Sequence, residues 1–190
     1  MAGNWVKCPD FCYWDGNLSE LNGKTLGIFG YGNIGKKVSE IGKAFEMKII
    51  CSTRTPKAGM PEAISFEDLL KRSDFVTLHA PLTDKTKNII NKESLSLMKK
   101  SAFLINTARG GFLVEQELAD YLNVEGIAGY AADVLLQEPM SSDCPLLKAK
   151  NCVITPHIAW APFETRKRLQ GIAEENLKAW LSGKPVNVVN

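Results

Sequence analysis

The sequence predicts a doubly wound α/β protein, a parallel sheet with helices packed on both faces. Three observations predict it. Short apolar runs alternate along the chain with segments of helical period. Those runs are apolar throughout instead of alternating with polar residues, the pattern of strands covered on both sides. A glycine-rich turn joins the first run to the first helix, and short strands separated by helices imply right-handed parallel crossovers.

The first strand is predicted over 24–30 (KTLGIFG), ending in glycine. The segment 33–45 follows, with Ile34, Val38, Ile41 and Phe45 at steps of four, three and four along one helical face. A second strand is read over 47–53 (MKIICST). Ser65 caps a short helix holding Phe66, Leu69 and Leu70, with Asp68 in capping-box position. Further strands are expected over 75–79 (FVTLH), 102–106 (AFLIN), 126–133 and 152–155 (CVIT), with a helix over 115–122. A long final helix is predicted over 162–181, with Leu169, Ile172, Ala173, Leu177 and Trp180 on one side and Gly183 past its end. Residues 1–23 do not fit the alternation. Trp5, Phe11, Tyr13 and Trp14 carry too much aromatic surface for a free tail, so this segment is read as an arm that packs on another surface. The chain thus divides into an arm at 1–23, a sheet domain at 24–182 and a tail at 183–190.

Composition narrows the function. The chain has 190 residues, 45% hydrophobic and 23% charged, with a net charge of +2. That excludes a disordered chain and gives no basis for nucleic acid or an anionic membrane as a partner. No apolar run reaches the ~18–20 residues of a membrane span, and the N-terminus has no signal-peptide core. Five cysteines and two histidines stand without metal-ligand spacing, which points to reduced thiols in a cytoplasmic protein and to no metal.

Gly30-Tyr31-Gly32-Asn33-Ile34-Gly35 is a G-x-G-x-x-G between a predicted strand and a predicted helix. In this Rossmann-type turn Gly30 allows the tight bend. Gly32 clears the approach of a pyrophosphate, and Gly35 lets helix and strand pack closely. The helix start then presents free N–H groups and its positive dipole end to the phosphates. The acidic residue that usually ends the next strand and holds the ribose hydroxyls is absent: Thr53 stands in its place, followed by Arg54 and, nearby, Lys57. Threonine does not repel a 2′-phosphate and arginine can pair with one. An NAD(P) cofactor is expected, with NADP(H) or dual use favoured.

Four further blocks carry the chemistry. They are Asn106-Thr107-Ala108-Arg109-Gly110-Gly111; Asp133-Val134 with Glu138-Pro139; Thr155-Pro156-His157-Ile158-Ala159; and His79-Ala80-Pro81-Leu82-Thr83 with Thr86. Together they resemble the D-isomer-specific 2-hydroxyacid dehydrogenases. The Trp5 and 11–14 block, 158–162 and 187–190 lean towards the glycerate dehydrogenase/hydroxypyruvate reductase branch. Reducing a 2-oxoacid needs a cation for the carboxylate, a proton donor for the ketone oxygen and a hydride donor. Arg109 follows a strand end and can grip a carboxylate with two hydrogen bonds. His157 follows a later strand, and an imidazole can give and take the proton. Glu138 can hold its other ring nitrogen.

The resemblance implies these same three catalytic roles. It also implies that Asn33 and Ile34 face the pyrophosphate and that Thr107 and Ala108 lie against the nicotinamide. Asp133 would accept from the carboxamide, and His79, Pro81, Thr86 and Ala159 would line the cofactor. His79 is read as cofactor-lining instead of catalytic. Trp160 walls the substrate pocket or packs as a core aromatic at a helix start; both readings stand. Relatives have two domains, so the substrate domain is expected to lie mainly upstream of Trp5, outside this sequence. The chain is then expected to bind cofactor with little turnover alone. A homodimer through the cofactor domain is expected, with the arm and the final helix as contacts. The alternative from another class is a dinucleotide-sensing dimerisation module resembling corepressors. A short-chain dehydrogenase is excluded, because no Tyr-x-x-x-Lys pair is present.

Overall fold

The computed structural model describes residues 3–14 and 18–189. Parts of the expected arm (residues 1, 2 and 15–17) and the last residue of the expected tail lie outside the described residues. In chain order the elements are β1 (Thr25–Phe29), α1 (Asn33–Ala44), β2 (Lys48–Ser52), β3 (Glu62–Ala63), α2 (Phe66–Arg72) and β4 (Phe75–Leu78). They continue with α3 (Lys92–Ser96), β5 (Phe103–Asn106), α4 (Glu115–Asn123), β6 (Gly129–Ala132), β7 (Cys152–Ile154) and α5 (Phe163–Leu181). All strands run parallel in the order β3-β2-β1-β4-β5-β6-β7. The strand order reverses at β1, so the loops after β1 and β4 diverge there and open a crevice at the carboxyl edge.

Alternate residues of each strand feed two cores. Phe29, Val76, Leu78, Leu104 and Tyr130 join Leu69, Leu70, Leu95, Leu118 and Leu122 from α2, α3 and α4 in the larger one. Leu26, Ile28 and Cys51 form the smaller one on the side of α1, with Val38 packed against it. Over β5 and β7 that second side is open, with Phe103 and Val153 exposed. Helices therefore cover both faces at β1 and β2, and one face alone at β5 and β7.

Local chemistry explains most boundaries. Ser65 Oγ accepts from Asp68 N–H at 3.0 Å at the start of α2. At α3, Asn91 and Ser94 cap one another reciprocally, with bonds of 3.0 and 2.8 Å. Residues 126–128 were expected to begin β6. Instead Gly126 closes α4, donating its N–H to Tyr121 O at 2.9 Å, and a Cβ there would strike the Tyr121 ring at 2.4 Å. Past α5, Gly183 (φ 72) donates to Trp180 O and Lys184 to Ala179 O, a Schellman ending.

Two helical faces differ from expectation. The buried residues of α1 are Gly35, Ser39 and Gly42, whereas Ile34, Ile41 and Phe45 are exposed. Close approach explains it: a Cβ on Gly42 would lie 2.8 Å from Leu26 Cδ2 and 2.9 Å from Ile49 Cδ1, so the helix seats its small residues on the sheet. The apolar stripe of α5 is not seated on the sheet either, and none of its residues is buried. In the arm, Asn4–Lys7 form a single 3-10 turn closed by Cys8 N–H donating to Trp5 O, and Trp5 Nε1 donates to Phe11 O at 3.1 Å, with both aromatic rings exposed.

Candidate active site

The glycine turn lies between β1 and α1. Gly30 takes φ 93, and a Cβ on it would sit 2.3 Å from Ala80 N; one on Gly35 would sit 2.3 Å from Gly30 O. Packing alone thus requires glycine at both positions. Gly32 is different: a Cβ there meets no atom of the described residues within 4 Å. It N-caps α1 without a side-chain cap, so the first N–H groups of the helix, Asn33 and Ile34 among them, face an open cradle. That cradle fits a dinucleotide pyrophosphate.

Thr53 and Arg54 follow β2 directly, at the same carboxyl edge. Arg54 is exposed, and among the described residues no carboxylate pairs with it. His79 follows β4. Its backbone N–H donates to Phe29 O at 2.7 Å, and its Nε2 lies 2.8 Å from Thr77 Oγ1. Burial lowers its pKa, which favours a neutral ring suited to lining. Thr86 is committed to its own loop. Its Oγ1 accepts from Thr83 N–H at 2.8 Å and donates to Pro81 O at 2.9 Å, so it shapes the turn that carries Pro81.

Arg109 sits three residues past the end of β5. The fully buried Asn106 builds its turn, accepting from Ala108 N–H at 3.1 Å and donating to Arg109 O at 2.9 Å. This role was missed from sequence, although asparagine at a strand end is a known turn builder. Thr107 and Ala108 lie inside that turn. The Arg109 guanidinium donates to Ala108 O at 2.6 Å. The glycine after it is obligatory, since a Cβ on Gly110 would lie 1.9 Å from the carbonyl carbon of Leu135. The turn bearing Arg109 is therefore packed, backbone to backbone, against the loop bearing Glu138.

The buried Asp133 directly follows β6. Its carboxylate accepts from Ile158 N–H at 2.9 Å, from Ala159 N–H at 2.8 Å and from the Thr155 hydroxyl. Burial disfavours its charge, yet these donors outweigh burial and hold its pKa below the usual range. They brace the segment in which His157 takes the left-handed backbone, φ 53. His157 Nδ1 lies 2.7 Å from Glu138 Oε2, and Glu138 Oε1 accepts from Leu135 N–H at 2.8 Å. The Leu135 bond, the His157 bond and the Arg109 charge together depress the Glu138 pKa. An ionised Glu138 accepts only, so Nδ1 of His157 carries a proton and Nε2 is the nitrogen left for chemistry. A cavity of about 750 Å³ borders Asp133, Glu138 and His157, walled on its apolar side by Met140, Leu147 and Ile154. Trp160, three residues past His157 in the chain, is exposed.

Fold, glycine cradle and site together define a dinucleotide-binding oxidoreductase domain. A family profile for the D-isomer specific 2-hydroxyacid dehydrogenase NAD binding domain matches residues 2–159. The chain belongs to that family, as its NAD-binding domain. It is 45% identical to a hydroxypyruvate reductase of Blautia hydrogenotrophica over 99% of this chain and 60% of the relative. It is 42% identical to a glycerate dehydrogenase of Methylorubrum extorquens, over 98% and 59%. Among solved structures it resembles an acyclic imino acid reductase in complex with NADPH and D-Arg. That match has TM-score 0.87 and 34% identity, covering 100% of this chain and 61% of that one. The chain thus spans about 60% of the length of these two relatives.

Proposed function

We propose that the whole protein reduces a small 2-oxoacid, hydroxypyruvate or glyoxylate, to the D-2-hydroxyacid. The observation that carries this is the His157–Glu138 pair, at 2.7 Å, beside the Arg109 turn. When bound, the dinucleotide supplies the hydride. Arg109 pairs with the substrate carboxylate and polarises the adjoining ketone. His157 delivers the proton to the ketone oxygen from Nε2, while Glu138 holds Nδ1–H and stabilises the charged ring. Thr107, Ala108, Ala159 and one lone pair of Asp133 line the nicotinamide end, His79 and Pro81 the middle, and Trp160 the substrate wall.

The exposed Arg54 after Thr53, which pairs with no carboxylate among the described residues, supports NADP(H) or dual use, in line with the NADPH in the imino acid reductase neighbour. A homodimer through this domain, with the arm and the final helix as contacts, fits the exposed Trp5, Phe11 and Trp14 and the exposed Leu169, Ile172, Leu177 and Trp180 of α5. The free cysteines fit a cytoplasmic setting. Residues 24–182 are the binding unit, between the arm at 1–23 and the tail at 183–190.

The test is the affinity of this chain for NADPH and NADH, with Arg54→Ala beside it. NADPH is expected to bind at least as tightly as NADH, and the substitution is expected to weaken NADPH alone, by about 10-fold. Hydroxypyruvate turnover is expected to be low in this chain. It is expected to appear in a chimera that adds the part of the Blautia enzyme the chain does not match. A folded chimera inert towards every small 2-oxoacid refutes the reading.

A further inference from the structure

The Leu135–Leu136 pair offers two consecutive backbone N–H groups, and two different carboxylates take them. Leu135 N–H goes to Glu138 Oε1 and Leu136 N–H to Glu115 Oε1, each at 2.8 Å. Glu115 is the first residue of α4, the helix that follows the Arg109 turn. Its second oxygen lies 3.9 Å from Cys144 Sγ, at the head of the 3-10 turn Pro145–Lys148. The Arg109 turn and the Leu135–Glu138 loop touch only because position 110 lacks a Cβ, which would sit 2.2 Å from Leu136 N. Glu115, six residues past Arg109, ties the start of α4 to that loop beside the contact.

We infer that Glu115 is a positioning residue for the His157–Glu138 pair. It acts through Leu136, fixing the loop whose next N–H orients Glu138 and setting that loop against Arg109. It touches neither substrate nor cofactor. Glu138 aims at His157 Nδ1 only while Leu135 N–H holds its other oxygen. A loop freed at Leu136 therefore lets the carboxylate swing, and the imidazole loses the partner that fixes its tautomer. The loss is one of alignment, to which catalytic groups are steeply sensitive.

The inference rests on the proposed role of the pair, and the test separates the two. The chain has two histidines, so long-range ¹H–¹⁵N spectra resolve both rings, with His79 as internal reference. In the unaltered chain, held at a pH where the ring is neutral, His157 is expected as the single Nδ1–H tautomer. Glu115→Ala is expected to convert this into a mixture of tautomers while the His79 signals stay in place. Glu115→Gln retains a carbonyl acceptor and is expected to restore the single tautomer. In the chimera, Glu115→Ala is expected to lower kcat about 10-fold with KM within about 2-fold. Unchanged His157 signals in Glu115→Ala, or equal losses in Glu115→Ala and Glu115→Gln, overturn the inference. If Glu115→Ala does not fold, Glu115→Asp decides: its shorter reach must also produce the mixture, and a single tautomer there overturns the inference. Glu138→Ala is the control. If it leaves the His157 signals unmoved, the pair itself is misread and Glu115 has nothing to position.

Discussion

Glu138 holds His157 through one carboxylate oxygen, Oε2 to Nδ1 at 2.7 Å, while its other oxygen is held by Leu135 of the same turn. The carboxylate is thus oriented by its own loop before it orients the imidazole. Glu138→Gln keeps the shape but loses the charge that stabilises a protonated ring. In the chimera kcat for hydroxypyruvate is expected to fall about 100-fold with little change in KM. Stopped-flow reduction checks it, and an unchanged single-turnover rate would remove Glu138 from the proton step.

Two glycines of the first turn, Gly32 and Gly35, are expected to respond differently. Gly32→Ala adds a methyl where no described atom lies within 4 Å, so stability is expected to stay within about 0.5 kcal/mol. Dinucleotide affinity is expected to fall at least about 10-fold. Gly35→Ala drives a methyl to 2.3 Å from Gly30 O and is expected to destabilise the fold by about 2 kcal/mol. Calorimetric titration beside urea unfolding separates the effects. Equal losses of stability in both variants would contradict an open cradle at Gly32.

Asp133→Ala removes three hydrogen bonds at once, from Thr155, Ile158 and Ala159. A loss of about 2 kcal/mol is expected, with the segment around His157 becoming exchange-labile. Hydrogen exchange at the Ile158 and Ala159 amides is the measurement. Protection equal to that of the unaltered chain would show that the turn stands without its acid.

Acid sensitivity follows from the same groups. The pKa values of Asp133 and Glu138 are lowered in the fold, the first by its donors against opposing burial, the second by Leu135, His157 and Arg109. Unfolded carboxyls titrate near about 4. The unfolded chain therefore takes up protons first as pH falls. Stability from these groups is complete above about pH 5 and is lost as pH drops through the depressed folded values. The melting temperature is expected to decline between about pH 5 and pH 3. A variant carrying both Asp133→Asn and Glu138→Gln is expected to decline less. Identical slopes would assign acid sensitivity to other carboxylates, such as Asp74 beside Lys99.

Sequence periodicity located the main strands because their apolar runs are continuous, and it located α1 and α5 because their steps of three and four are regular. It misjudged which side of α1 faces the sheet. Periodicity ranks residues by hydrophobicity, whereas close helix–strand approach selects small ones, here Gly35, Ser39 and Gly42. The strand Glu62–Ala63 was not anticipated, since two residues carry no period, and α3 was missed although Asn91 marks its start. At the site, Arg109, Glu138 and His157 were legible as residue types in blocks after strands. Their supports were not. Glu115 lies 21 residues from Leu136, and Asp133 lies 26 residues from Ala159. Contacts of that span leave no local pattern to read.

The site loops are gripped by their main chains: carboxylates hold the amides of residues 135, 136, 158 and 159, while Leu136 and Ile158 leave their side chains in solvent. An amide bond is the same whatever amino acid bears it. Mutational drift at these exposed positions can therefore reshape the surface near the His157–Glu138 pair while the pair keeps its geometry. A scaffold arranged this way uncouples the surface from the geometry beneath it, and under the proposed function new preferences among related acids can arise without rebuilding the pair.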